Sequence, residues 1–536
     1  MTRRCFTFVV IVLAGTLAFA ANQKSDPNQT IDRIIANERA LAETMRSYSP
    51  MVETYLQRMQ PDTALGFVPS EDHYFLGRVQ FQQSKEEFYL DKRLVERMAG
   101  AFSKLYSLSP VGFSSMIFVD RNGFDRKNYR FHQMHSEFLG EVKCLVFEVT
   151  PAKNQSSRFR GAIWVEDEGY HIVRFNGSYG TFHIDSWRMN LRPDVWLPAV
   201  VYSEEFDSNK PQTGNPRVKA QTRLWGYNLA PAGRESEFTE ITVDPDAAKD
   251  SAQTPDKSPL DIQRSWQRRA EDNVLIKLEE LGLIVPEGEV DKVLQTVITN
   301  LEVTNKLELD PEVRCRIMPT TPIEVATIGH TILVSRGLLD ALPNEAALAV
   351  ILSHALAHAV LGHDLDSSFA FNDRMVVPSL KQLPLFDFKH NASQEIAADA
   401  LGQKLLANSP YKNNLAEAGL FLKALGRYGR RVPNLVRANL GESLVEQHRI
   451  IYMWQIAEAA PQLELENPQQ IVALPLGSRV KLDPWAGQLK FVKATPPRIY
   501  SAKDKLALEV TPFSPYLTRM NTAKSDEPPP NASQNR

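Results

Sequence analysis

His354 and His358 lie four residues apart in the run Ile351-Leu352-Ser353-His354-Ala355-Leu356-Ala357-His358-Ala359. Asn344-Glu345-Ala346-Ala347-Leu348-Ala349-Val350 precedes it with the same helix-forming composition. Positions i and i+4 share a helix face, so two imidazoles so placed can hold one Zn2+ at about 2.0–2.1 Å each. Glu395 and Asp399 repeat the spacing in Gln394-Glu395-Ile396-Ala397-Ala398-Asp399-Ala400, which also reads as helix. A carboxylate on a second helix can complete a His2Glu set with an open fourth position. A second carboxylate one turn on can hold a histidine N–H from behind.

The zinc-protease signature is H-E-x-x-H, with its glutamate as general base. Here that position is Ala355. General acid–base assistance is typically worth ~10²–10⁴-fold. Ala355 cannot supply it, Leu356 and Ala357 are inert, and Glu345 lies too far along the helix. The expectation is a usable zinc site on a crippled or inactive hydrolase.

Around these residues stand Thr331-Ile332-Leu333-Val334-Ser335-Arg336-Gly337-Leu338-Leu339-Asp340-Ala341-Leu342, then His354-x-x-x-His358 with His363, then Glu395-x-x-Ala398-Asp399. In this order they resemble the HtpX-like zinc metallopeptidases, relatives of the CAAX prenyl proteases, over roughly residues 285–455. The resemblance implies a gluzincin fold, one Zn2+ per chain on His354, His358 and Glu395, Asp399 behind a ligand, and polypeptides as substrate or client. His363 is expected to pack or hydrogen-bond rather than to ligate. The sequence departs from the family at Ala355 and near the domain's end. There Arg449-Ile450 is kept, but alignment on the arginine puts Ser443 where the family has histidine. Ile323, Val325 and Arg449 are the candidate substrate-binding residues. The first two lie on a strand, Ile323 to Thr327, expected at the sheet edge, where an extended peptide can pair.

The elements that must position these groups predict an α+β multidomain chain. Residues 1–21 read as a signal peptide, with Arg3-Arg4, an apolar core and Ala18-Phe19-Ala20. The chain is therefore expected to be exported, periplasmic or secreted, with a peripheral association with membrane left open. Residues 28–243 form an N-terminal domain: a helix over 30–60, interrupted or kinked at Pro50, then an antiparallel sheet. This half weakly resembles the lipoprotein-carrier fold, an open half-barrel around a helix. Residues 244–264 are a Pro-bearing linker, 265–460 the mainly helical metallopeptidase domain with a small edge sheet, 461–521 a small β appendage, and 522–536 a disordered tail. The appendage should hold a hairpin around Asp483-Pro484-Trp485-Ala486-Gly487 and a strand at Leu506–Val510. Residues 364–393, with Phe369, Phe371, Leu385, Phe386 and Phe388, form a long connection that could wall a substrate site or simply pack.

With 43% hydrophobic residues, 23% charged and a net charge of −3, nothing points to nucleic acid. Cys144 and Cys315 read as buried free thiols. Three functions stay open: an impaired zinc metalloendopeptidase-family protein of envelope quality control, an active one with another base, and a non-enzymatic binding or carrier module.

Overall fold

The computed structural model describes residues 27–63, 65–81, 85–88, 116–153, 157–206, 215–227, 259–363, 388–446, 449–464, 466–467, 470, 480–483, 488–491, 508–512 and 515–520. The expected signal peptide and disordered tail lie outside the described residues, as do 244–258 of the linker and the connection over 364–387.

Helix α1 (Pro27–Thr44) forms because Ile31, Ile34, Ile35, Glu38 and Leu41 fall on one buried face. The expected helix over 30–60 is too long. A short 3-10 turn at Met45–Ser47 ends it, and strand β1 (Met51–Asp62) follows. The reason is burial on both faces. Val52 and Leu56 face one core while Met51 and Tyr55 face another, so the apolar set shows no alternation and mimics helical spacing.

β1 joins β2 (Gly66–Gln80), β3 (Lys85–Phe88), β4 (Tyr129–Leu139), β5 (Val142–Pro151), β6 (Arg160–Glu166), β7 (Ile172–Tyr179), β8 (Phe182–Arg192), β9 (Val195–Glu205) and β10 (Val218–Trp225). They form one 10-stranded sheet in the order β3-β2-β1-β10-β9-β8-β7-β6-β5-β4, open at both edges and antiparallel throughout. One face packs on α1 and on Met116–Val119 and Phe124. There Arg188 makes a buried, two-pronged pair with Glu38 of α1, at 2.7 and 2.8 Å. The expected cup is thus covered by the chain's own residues.

On the opposite face, Met51, Tyr55, Tyr74, Leu76 and Trp225 share one apolar core with the second half. That half opens with α2 (Pro259–Glu280), which begins inside the expected linker, and α3 (Glu289–Asn305). β11 (Arg314–Met318), β12 (Glu324–Ile328) and β13 (Thr331–Ser335) follow. Then come α4 (Arg336–Ala341), α5 (Glu345–Val360), α6 (Ala392–Ala407), α7 (Leu415–Gly429) and β14 (Glu442–Ser443). The small sheet runs β11-β13-β12-β14. β15 (Val445–Glu446) pairs with β16 (Arg449–Ile450), and α8 (Trp454–Ala459) closes the unit.

The expected edge strand is corrected here. β12 pairs with β13 on one side and with β14 on the other, at Glu324–Ser443 and Val325–Glu442. Ile323 and Val325 are buried in the core and cannot meet a substrate. Two residues of the chain itself cover that side of β12 at Glu324 and Val325.

The C-terminal hairpin is present as β17 (Val480–Asp483) and β18 (Gln488–Phe491), and Leu489 enters the main core. The expected strand at Leu506–Val510 is not one over its described residues, Leu508–Val510. The segment instead straps the first sheet. Gln57 Nε2 donates to the Leu508 carbonyl at 2.6 Å, and the Val510 N–H donates to Gln57 Oε1 at 2.8 Å. Glu141 N–H donates to the Leu517 carbonyl at 2.9 Å, and Arg519 donates to Glu166 at 2.8 Å. Cys144 and Cys315 are buried and free, and burial pushes the Cys144 thiol up to about 12. Among the described residues no helix is long and apolar enough to cross a membrane.

Glu166 yields a test of this strap. Burial raises its carboxyl, but hydrogen bonds from His171, Arg519 and the Glu168 N–H outweigh that and hold it at about 2, below its ordinary 4.5. A depressed carboxylate stabilises the fold above its unfolded pKa and stops doing so as pH falls through the folded one. Stability should therefore fall between about pH 4.5 and about 2. Glu166→Gln should remove on the order of 2–3 kcal/mol at neutral pH and flatten that acid limb. Urea midpoints against pH check this, and an acid limb unchanged in the variant would contradict it.

Candidate metal centre

Helix α5 is buried from Ala346 to Ala359. Asn344 caps it, its Oδ1 accepting the Ala347 N–H at 2.9 Å. Its alanines let neighbouring elements approach closely, and His354 and His358 are both fully buried. Helix α6 starts from a reciprocal cap: Asn391 Oδ1 accepts from Ser393 and Gln394, while Gln394 Oε1 accepts the Asn391 N–H. That cap puts Glu395 in the first turn, where a carboxylate suits the helix dipole. Gly402 sets the helix-to-helix distance, since a Cβ there would lie 3.2 Å from the His354 Cα and N.

The structure brings all four chemistry-bearing residues of the two helices together. His354 Nε2 and His358 Nε2 are 3.0 Å apart. Glu395 Oε2 is 3.3 Å from the first, and Oε1 is 3.7 Å from the second. Ligand atoms at the corners of a tetrahedron around zinc are separated by roughly 3.3 Å. Glu395 Oε1 is shielded from solvent and accepts no hydrogen bond, so a donor or a cation is what it lacks. The donor set fits zinc.

The surroundings fix each ring. Asp399 Oδ1 accepts from His354 Nδ1 at 2.7 Å and from the Met453 N–H at 2.9 Å, leaving Nε2 to face the cluster. Tyr452 packs its ring 3.9 Å from that of His354 and donates its hydroxyl to the Ile351 carbonyl. His363 Nδ1 lies 2.8 Å from His358 Nδ1, and His363 also groups with His358 and His390 as possible metal donors. Ala355 is buried and apolar, and Glu345 accepts instead from the Tyr411 hydroxyl at 2.8 Å.

Two residues were not among the expected site residues. Glu442 lies on β14 with Oε2 3.7 Å from His354 Nε2 and Oε1 3.9 Å from His358 Nε2. The donor atoms of His354, His358, Glu395 and Glu442 all lie within 4.8 Å of one another. His390 stacks on His358, ring centroids 3.7 Å apart, and its Nδ1 hydrogen-bonds Glu442 Oε1. Alignment on Arg449 pointed to Ser443, one residue away. In a strand neighbouring side chains point to opposite faces, and Ser443 Oγ instead accepts the Ala438 N–H at 2.9 Å. His390 was legible in principle, since it directly precedes the Asn391 cap of the Glu395 helix. Arg449 is exposed on β16, opposite Glu446.

Charge crowding without an ion is severe. Burial lowers the His354 pKa, but hydrogen bonds to Asp399 and Glu395 overcome it and raise the ring to about 9. Burial, then the neighbouring His390, His354 and His363, push His358 down to about 2. Burial and the facing Glu395 carboxylate raise Glu442 well above the usual range.

No family model matches the chain and no curated protein matches it. The comparisons give no support to a resemblance of residues 285–455 to HtpX-like metallopeptidases. Among solved structures, a putative outer membrane lipoprotein-sorting protein domain from Vibrio parahaemolyticus is 11% identical, with a TM-score of 0.23, over 37% of this chain and 91% of that one. A DUF1329 family protein from Desulfovibrio piger is 12% identical, with a TM-score of 0.19, over 37% of this chain and 95% of its own. A LolA superfamily protein from Nitrosomonas europaea is 10% identical, with a TM-score of 0.19, over 37% and 91%.

Proposed function

We propose that the chain is an exported, metal-binding protein of the HtpX-like metallopeptidase type that engages polypeptides in the cell envelope, with peptide hydrolysis lost or strongly reduced. The convergence of His354, His358 and Glu395, with Asp399 behind His354, carries the reading. Zinc, held by those three side chains, would supply Lewis acidity at a carbonyl. Asp399 fixes the His354 ring so that Nε2 faces His358 and Glu395, where it would hold the ion. His363 does the same for His358. Ala355 leaves the general-base position without a proton acceptor, and that alone costs ~10²–10⁴-fold.

The experiment is casein digestion by the zinc-loaded chain beside His358→Ala. Both should leave casein intact. Cleavage by the native chain that His358→Ala abolishes would favour the second reading, an active peptidase with another base. A carrier reading has less behind it, because α1 and residues 116–124 cover the sheet face that cargo would use.

A further inference from the structure

Glu442 is held more firmly than a bystander would be. It pairs across β14 with Val325. The turn before it is gathered by the buried Glu324, whose Oε2 accepts the N–H groups of Asn439, Leu440 and Gly441 at 2.8, 2.9 and 3.2 Å. Gly441 permits the close approach, since a Cβ there would fall 2.1 Å from the Val325 carbonyl oxygen. The chain thus spends three backbone hydrogen bonds, a glycine and a buried carboxylate on setting the direction of one further side chain. That side chain is itself buried, and its two oxygens are used differently. Oε1 receives His390, while Oε2 is turned to His354 Nε2.

We infer that Glu442 is a fourth protein ligand, which closes the metal centre as His354–His358–Glu395–Glu442. The inference rests on the metal-binding reading above. Its geometry is that of the accepted three, because Glu442 Oε2 lies as far from His354 Nε2, 3.7 Å, as Glu395 Oε1 lies from His358 Nε2. Its electrostatics close as well. Two neutral imidazoles and two carboxylates neutralise a dication, which a largely buried site favours. Each ligand but Glu395 then has an outer partner: Asp399 for His354, His363 for His358 and His390 for Glu442. A zinc with four protein ligands is of the structural kind, and a catalytic one keeps a position open. Loss of the base at Ala355 and loss of the open position are then two sides of one change, from hydrolase to metal-stapled fold.

The probe is Co2+ alone, titrated into the metal-stripped full-length chain and followed by its visible absorption, with azide added at saturation. Circular dichroism checks the fold of each variant. The native chain should bind one Co2+ with four-coordinate bands that azide leaves unchanged. Glu442→Gln, which keeps the side chain's shape, and Glu442→Ala should bind at least ~10-fold more weakly, the lower bound for disturbing even an outer partner of a metal ligand. Their bands should shift on azide, because a position has opened. Native bands that shift with azide overturn the inference without recourse to any variant, as does native affinity in Glu442→Gln. No Co2+ binding by the native chain overturns the metal reading beneath it, a distinct failure.

Discussion

Zinc raises the unfolding temperature of this chain by several degrees, and His358→Ala abolishes the rise. An ion that binds only the folded state stabilises it by RT ln(1 + [L]/Kd), which is about 3–4 kcal/mol at free zinc 100 to 1,000 times Kd. The four donor atoms within 4.8 Å come from α5, α6 and β14, so the ion joins three elements far apart in sequence. Without it, Glu395 and Glu442 confront each other among buried imidazoles. His358→Ala removes one donor while leaving the helix-forming alanine composition of α5 intact. Differential scanning fluorimetry with zinc and with a chelator measures the effect. Equal zinc shifts in the native chain and in His358→Ala would contradict it.

Glu53→Ala uncouples the two halves at a cost of about 3–5 kcal/mol, the penalty for stranding a buried charge. Glu53, on β1, is buried where the large sheet meets the second half. Its Oε1 accepts from the Tyr74 hydroxyl at 3.0 Å and from the Thr321 N–H at 2.6 Å. Its Oε2 accepts from Thr321 Oγ at 2.8 Å and pairs with Arg223. Arg223 also donates to the Pro319 carbonyl at 2.7 Å, so one ion pair spans β1, β10 and the loop before β12. Alanine leaves the Arg223 guanidinium buried with the Pro319 carbonyl and the Thr321 hydroxyl but without its paired carboxylate. The double variant Glu53→Leu/Arg223→Met should recover much of the loss, because an apolar pair of similar volume carries no desolvation penalty. Urea unfolding of the three chains decides the matter. A Glu53→Ala midpoint equal to the native one would show that the interface does not depend on the pair.

The metal helices were legible because His354 and His358, and likewise Glu395 and Asp399, sit at i and i+4, a spacing that survives any error in tertiary placement. Asp399 was legible for the same reason. Glu442 was not, because its strand is two residues long and a one-residue misalignment turns every side chain to the other face. Val52, Tyr55, Leu56 and Met59 were read as helix because β1 is covered on both sides, which erases the alternation that marks a strand. β14 pairs with β12 at Glu324 and Val325, and that pairing is set by the Glu324 carboxylate and Gly441 acting across more than a hundred positions, which no pattern within β12 announces. The C-terminal strap has few apolar anchors, and Gln57 binds Leu508 across 451 positions, so no local pattern could announce it. Pro-bearing composition suggested a linker to residue 264, yet α2 begins at Pro259, a first-turn position that proline suits.

The central claim is a metal held by α5 and α6, and metal content tests it most directly. The full-length chain, purified without added metal or chelator and then dialysed against zinc, should carry one zinc per chain by plasma mass spectrometry. His358→Ala treated identically should carry none. A native chain without zinc, or a His358→Ala chain that keeps it, would contradict the account.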